Sequence, residues 1–177
     1  MSIRAEIKRQ IHRLVRARKL VSLPRLYLND RRIRCMLLTQ GVAQDVISPS
    51  GGMPDDERLA QFRGNLDAFA VGEAITIARH PFEKPSDADL APIHPVSSHV
   101  WDFRILEPPN GIRCLGFFAA KDVFIALSWD YREDVEPVDW SRLVEESKTI
   151  WDDLFSPIFP HFGDFPDAYI SKPFTVV

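Results

Sequence analysis

The sequence predicts an α+β domain in which helices pack chiefly on one face of an antiparallel sheet. Three apolar runs separated by two short turns indicate a β-meander, and apolar residues recur at helical spacing on either side of it. The length of 177 residues and the apolar content of 45% are typical of a single globular domain over residues 1–177. The sheet is centred on residues 99–130, and helices are expected at residues 2–19, 57–70 and 139–155.

The first element is a basic amphipathic helix over about residues 2–19. Residues 1–34 hold 11 of the 22 basic groups and two of the 25 acids, so they carry +9 and residues 35–177 carry −12. Such a helix can follow phosphates, dock on its own acidic fold, or bind a partner or a membrane surface. Its apolar stripe is Ile3, Ile7, Ile11, Leu14 and Val15, and basic residues crowd the remainder: Arg4, Lys8, Arg9, Arg13, Arg16 and Lys19.

The next segment predicts one further helix and a short strand. Pro24 ends the first helix, and residues 25–38 form a strand pair or an irregular segment. Acids at residues 55–57 begin the second helix, and a short strand follows over residues 74–79. Four prolines make residues 80–98 an extended connection without a regular element.

The meander follows as three strands. Residues 100–106 alternate strictly, as a half-buried strand does, with Asp102 and Arg104 on one side. Residues 112–118 and 123–129 are almost continuously apolar, which favours inner strands covered on both faces. The other side of the first strand carries Trp101, Phe103 and Ile105. The two turns are expected at residues 107–111 and 119–122.

Pairing parity decides which polar residues of the meander share a face. If the second turn closes with an even number of residues, Arg113 faces Ser128, and Asp130 and Arg132 lie on the same side. A four-residue first loop would add Arg104 opposite Arg113, whereas a five-residue loop would send Arg104 to the other face. The sequence leaves both arrangements of Arg104 open.

A third helix and an aromatic tail complete the chain. Apolar residues at helical spacing over residues 139–155 would cover the apolar face of the sheet, and Pro157 ends this helix. The tail, about residues 156–177, contains several aromatic residues among prolines. It either completes the core or forms a homodimer. Its aromatic residues are Phe159, Phe162, Phe165, Tyr169 and Phe174.

The motifs of several common protein classes are absent from the sequence. Cys35 and Cys114 form neither a disulfide framework nor a metal knuckle, and we expect them to be core residues in a reducing cytoplasm. His80, His94 and His99 lack the spacing of metal ligands, and no phosphate loop or dinucleotide motif occurs, so no metal or cofactor is expected. Without a long apolar run or a signal peptide, the protein is expected to be cytoplasmic, with no membrane partner.

Three short motifs in the meander resemble the RelE/HigB-type toxins of toxin–antitoxin pairs. They are W-x-x-R from Trp101 to Arg104, Gly111-x-Arg113, and the dipeptide Tyr131-Arg132, and the resemblance covers about residues 99–155. It implies a RelE-like fold and a metal-independent endoribonuclease that acts on messenger RNA, often in the ribosome. It also implies an antitoxin protein as partner and RNA or the ribosome as target.

The resemblance assigns roles to individual residues. Arg113 matches the arginine that opens the central strand, Arg132 the one after the last strand, and Arg104 a basic position on the preceding strand. Cleavage by the 2′-hydroxyl needs a group that stabilises the phosphorane, which arginine supplies, and a proton acceptor, for which Tyr131 is a candidate beside Asp130 and Glu133. The expected catalytic residues are Arg113, Arg132 and Tyr131, and the expected RNA-binding residues are Arg104, Lys8, Arg9, Arg13 and Arg16.

A noncatalytic protein of similar fold is the alternative. In that case Asp102 and Asp130 neutralise Arg104 and Arg113 on the sheet, and the protein binds a protein or nucleic-acid partner through its basic helix and aromatic tail.

Overall fold

The computed structural model describes residues 3–81, 88–107 and 111–177. Within these ranges the chain forms one eight-stranded sheet flanked by helices. The helices are α1 (Ile3–Arg16), α2 (Gln40–Val46), α3 (Glu57–Val71), α4 (Asp139–Phe155) and the short α5 (Pro166–Tyr169). The strands are β1 (Leu20–Ser22), β2 (Cys35–Thr39), β3 (Ile75–Ile77), β4 (Leu90–Pro92), β5 (Trp101–Ile105), β6 (Ile112–Ala120), β7 (Val123–Tyr131) and β8 (Phe174–Val176).

The sheet is mixed, with the order β1-β2-β7-β6-β5-β4-β3-β8. This confirms the α+β class, whereas the expectation of a purely antiparallel sheet is wrong. Strand β2 runs parallel to β7, and β3 runs parallel to both β4 and β8. Each of these parallel pairs joins strands separated by a connection, and such long-range pairing is not visible in local patterns. Strand β4 also lies in the connection for which no regular element was expected.

The predicted meander forms the centre of the sheet as β5, β6 and β7. The first loop spans residues 106–111, because Ile105 pairs with Ile112. Arg104 therefore pairs with Arg113, which decides the alternative that the sequence left open. The expected turn at residues 107–111 falls partly on residues 108–110, which lie outside the described ranges.

A two-residue turn changes the predicted pairing of β6 with β7, because Ala120 pairs with Val123 and Arg113 consequently pairs with Asp130 instead of Ser128. Two register shifts also occur, one between Leu115 and Gly116 and one between Phe118 and Ala120. Each shift adds one residue, one on each strand, so the two cancel at Arg113. Ser128 and Asp130 still lie on the face of Arg113, as predicted, because Ser128 pairs with Leu115.

Helices cover both faces of the sheet, so the expectation that they pack chiefly on one face is wrong. Helices α2 and α3 pack on one face, where Phe69 lies edge-on against both Phe103 and Phe124. Helices α1 and α4 pack on the other face, where Trp151 lies against Phe117. The physical reason is that β6 and β7 are apolar on both sides, and each side must be removed from water.

Local signals predicted the helix ends well. The Asp56 side chain accepts a hydrogen bond from the backbone N–H of Leu59 at 2.9 Å, which caps α3 at its N-terminus. Gly72 ends α3 with a φ of 91°, a left-handed conformation that glycine adopts without strain. The bounds of α4 match the predicted residues 139–155. Helix α1 ends three residues before the predicted position 19, because β1 begins at Leu20.

The tail contributes to the core only in part. Tyr169 and Ile170 are buried, and β8 extends the sheet beside β3, which confirms core completion for this portion. In contrast, the tail residues Phe159 and Phe162 are 83% and 68% exposed. None of the helices in the described ranges is both long and apolar enough to cross a membrane.

Candidate functional site

The arginines of the predicted catalytic site lie together at one end of the meander. Arg104 and Arg113 share a face of the sheet. Arg132 follows β7, and its backbone N–H donates to the Gly111 carbonyl at 2.8 Å. Burial lowers the pKa of Arg104, and the positive charges of Arg113 and Arg132 lower it further. The three arginines therefore lie close enough for their positive charges to interact.

Arg113 is held by a buried carboxylate. Its Nη1 donates to Oδ2 of Asp102 at 2.8 Å, and the Asp102 side chain has no exposed surface. Arg104 is also buried, and its Nη1 donates to the Ala88 carbonyl at 3.0 Å. Burial and the negative charge of Asp134 raise the pKa of Asp130. The noncatalytic alternative expected Asp102 and Asp130 to neutralise arginines of the sheet. Asp102 does so, because it forms the ion pair with Arg113.

Tyr131 lies on the opposite face of the sheet from Arg113, because it pairs with Ile112. The Arg58 guanidinium lies 3.6 Å from the centre of the Tyr131 ring and donates to Oε1 of Glu133 at 2.8 Å. Two of the three candidates for proton transfer, Tyr131 and Glu133, are thus in contact with Arg58. The arrangement brings Arg104, Arg113 and Arg132 together but does not place the Tyr131 side chain with Arg113.

The basic helix presents a second candidate surface. Ile7 and Leu14 of α1 are buried against the sheet, so the apolar stripe docks on the chain's own fold. The opposite side of α1 is exposed. We call it the basic face of α1, and it consists of Lys8, Arg9, Arg13 and Arg16. Within the described part of the chain, these four side chains form no ion pair.

Helix α4 lies directly beside α1. The Gln10 side chain of α1 donates to the backbone carbonyl of Leu154 in α4. The outer side of α4 is acidic, so the two neighbouring helices present opposite charges to solvent. The exposed acids of α4 are Glu145, Glu146, Asp152 and Asp153.

Exposed aromatic residues of the tail lie next to the N-terminal half of α1. Ile7, Phe159 and Phe162 border a cleft of about 510 Å³, together with Glu6 and Ala119. The Phe162 ring also stacks on His99, with ring centres 5.6 Å apart. Burial lowers the pKa of His99. The cleft therefore joins an apolar surface to the edge of the basic face of α1.

Three arginines outside these surfaces were not singled out from the sequence. Arg34 and Arg63 are fully buried, and Arg32 is partly buried, where α3 meets the segment before β2. Arg32 and Arg34 stand close together in the sequence, but a run of arginines is more often solvated than buried. Their burial depends on tertiary contacts that no local pattern shows.

In the ranges that the structure describes, no group of three histidine, cysteine or acidic residues is arranged to hold a metal ion. Comparisons with protein-family models, curated proteins and solved structures found no match for this chain.

Proposed function

We propose that the protein is a noncatalytic binding module that recognises an acidic segment of another protein through the basic face of α1 and the neighbouring tail aromatics. The supporting observation is that four exposed cations have no acidic partner in the described ranges, although residues 35–177 carry −12. Exposed positive charge of this kind attracts acidic partners and speeds their association.

Helix α4 favours a protein partner over a nucleic acid. Packed helices lie about 8–10 Å apart, which is close to the Debye length of about 8 Å at physiological salt. Glu145 and Glu146 are paired with Lys148 and Arg142, whereas Asp152 and Asp153 form no ion pair in the described ranges. These two aspartates would therefore repel a phosphate chain that extends beyond α1. A 14-residue helix is about 21 Å long, which suits a short acidic peptide segment.

Two aromatic residues of the tail add an apolar region to the proposed binding surface beside α1. Phe159 and Phe162 are large, exposed and adjacent to a cleft, and aromatic residues of this kind often dominate binding at protein interfaces. Glu6 lies at the cleft and repels acids there. The acidic residues of a partner would thus contact the basic face of α1, and its apolar residues would enter the cleft.

Peptide binding measured by fluorescence anisotropy tests this function. The probes are a labelled peptide of glutamate, leucine and phenylalanine, the same peptide with glutamine for glutamate, and a single-stranded RNA. At about 0.15 M salt, we expect the acidic peptide to bind at least about tenfold more tightly than the glutamine peptide. Arg9→Glu with Arg13→Glu should abolish this difference, and the exposed Arg79→Glu should retain it. Equal binding of both peptides, or tighter binding of RNA, would contradict the proposal.

A RelE-like endoribonuclease is the second candidate, supported by the clustering of Arg104 and Arg113 with the exposed Arg132. It is less well supported, because Asp102 holds Arg113 and Tyr131 lies on the other face. This candidate has an antitoxin and RNA or the ribosome as its partners. Expression of the chain alone distinguishes the two functions. Growth arrest with messenger RNA cleavage that Arg132→Ala abolishes would favour the endoribonuclease, and normal growth would favour the binding module.

A further inference from the structure

A second cleft, of about 490 Å³, lies where the end of β1 and the start of β2 approach the turn that joins β6 to β7. Its polar lining includes Ser22, Arg32, Arg34, Lys121 and Asp122. Apolar side chains, among them those of Leu23, Met36 and Val123, complete the wall. The basic face of α1 and the tail cleft do not contribute to this lining, so the surface is separate from the one assigned to partner binding.

Three arginines lie at and behind this cleft, of which Arg34 and Arg63 are buried and Arg32 is partly buried. Arg34 donates to the carbonyls of Glu73 at 2.9 Å and Ser171 at 3.0 Å, and Arg63 donates to that of Pro24 at 2.5 Å. Arg32 donates to Oδ1 of Asp67 at 2.6 Å. Five buried guanidinium nitrogens nevertheless have no hydrogen-bond partner in the described ranges. They are Nε and Nη1 of Arg32, Nε of Arg34, and Nε and Nη1 of Arg63.

Positive charge exceeds negative charge at this place. The cations are the three arginines and the exposed Lys121, whereas the ion pairs of these arginines in the described ranges involve two carboxylates, those of Asp67 and Asp122. Asp122 is engaged elsewhere, because it accepts hydrogen bonds from the backbone N–H and the hydroxyl of Ser171 at 2.7 and 2.6 Å. Nε of Arg34 lies 3.9 Å from Oδ1 of Asp122.

Burial opposes the charge on two of these arginines. Loss of hydration lowers the pKa of both Arg34 and Arg63, whereas the carboxylates of Asp122 and Asp67 offset part of this effect. Positive charge in excess of its carboxylate partners is costly at low dielectric, and a bound anion reduces the cost. Arginine is also the side chain best suited to pair with carboxylate or phosphate.

We propose that this cleft binds a small organic oxyanion, whose carboxylate or phosphate group lies near Lys121 and Arg32 and whose apolar body contacts Leu23 and Met36. Lys121 is exposed and Arg32 retains some exposure, so both lie within reach of a ligand, and the Ser22 hydroxyl is a further donor. Arg34 has no exposed side-chain surface and contributes through its charge. The role does not depend on the protein-binding function, because the two surfaces share no residue.

Titration of the intact protein with small anions tests this site. The probes are inorganic phosphate, benzoate and uncharged benzamide, each at constant ionic strength maintained with chloride. We expect saturable amide chemical-shift changes near residues 22 and 121–123 with benzoate, phosphate or both, and none with benzamide. Tighter binding of benzoate would identify a carboxylate ligand, and tighter binding of phosphate a phosphorylated one.

Charge reversal at the mouth of the cleft provides the critical comparison. Lys121 lies in an exposed turn, so its replacement should not disturb folding. Lys121→Glu should lower anion affinity at least about tenfold. Arg79→Glu reverses an exposed charge outside the cleft and should leave the affinity unchanged. Arg32→Gln is a second variant, with circular dichroism as the check of folding. Absence of saturable binding, or binding that Lys121→Glu does not weaken, would overturn the proposal.

Discussion

Arg113 on β6 donates a hydrogen bond to Asp102 on β5 at 2.8 Å, and the carboxylate that it contacts is completely buried. This ion pair links two central strands on the face covered by α1 and α4. Removing one member of a buried ion pair leaves the other charge without compensation, which is more costly than removing both. The arginine that the family resemblance would assign to catalysis thus has a structural role in the sheet.

Arg113→Ala should therefore lower the free energy of unfolding by about 3 kcal/mol, because the buried Asp102 carboxylate loses its ion pair with Arg113. The double variant with Asp102→Asn should lose less than the single variant. Urea unfolding followed by circular dichroism measures both. An Arg113→Ala protein within about 0.5 kcal/mol of wild type would show that the pair contributes little.

Arg34 should be the arginine whose loss most loosens the C-terminal segment. Its guanidinium donates to one carbonyl in the last turn of α3 and to another just beyond this helix. It also donates to the carbonyls of Ser171 and Pro173, so one side chain connects distant parts of the chain. Arg34→Met should cost at least about 3 kcal/mol, since several buried acceptors lose a charged donor. Hydrogen exchange should accelerate at residues 171–176. The exposed Arg31→Met is the matched control and should change neither quantity.

Gly116 and Gly64 should respond oppositely to substitution by alanine. A Cβ at position 116 would lie 2.2 Å from the Ile125 carbonyl oxygen and 2.7 Å from the Phe124 ring, at a register shift between β6 and β7. Overpacking there should cost at least about 2 kcal/mol. Gly64 lies inside α3, where the nearest atom is 3.9 Å away, so Gly64→Ala should stabilise by about 0.5–1 kcal/mol. Thermal unfolding of the two variants measures both effects, and a stabilised Gly116→Ala protein would contradict the register.

His99 should make stability fall with decreasing pH. Burial lowers its pKa in the folded protein, so the unfolded chain binds the proton more tightly. The contribution of His99 to folding stability is therefore fully present above the unfolded pKa of about 6.5. This stability is lost as the pH falls from that value through the lower folded pKa. His99→Asn should flatten the pH profile, because asparagine does not titrate. Asparagine also tolerates the left-handed φ of 59° at this position, so the substitution adds no backbone strain. His12→Asn, at an exposed position of α1, is the control substitution, and an equal effect of both variants would refute the assignment.

Local patterns accounted for a large part of the fold. Strict alternation predicted that Trp101 and Asp102 lie on opposite faces, and helical spacing with capping residues predicted α3 and α4. These features depend on neighbours within a few residues, for which periodicity is sufficient evidence. The short helix α2 and the strand β4 were missed, because neither is long enough to show a period.

The sequence by itself determined the meander and the amphipathic character of α1, and it predicted a shared face for Asp130 and Arg113 only on the condition of an even second turn. Only the tertiary structure decided that Arg104 lies opposite Arg113, that β2 runs parallel to β7, and that Asp102 is the acid that holds Arg113. It also decided that the stripe of α1 docks on its own sheet while its basic face stays exposed. The reason is that distant segments pair according to loop length, burial and charge summed over the whole chain, and none of these is encoded in a local period.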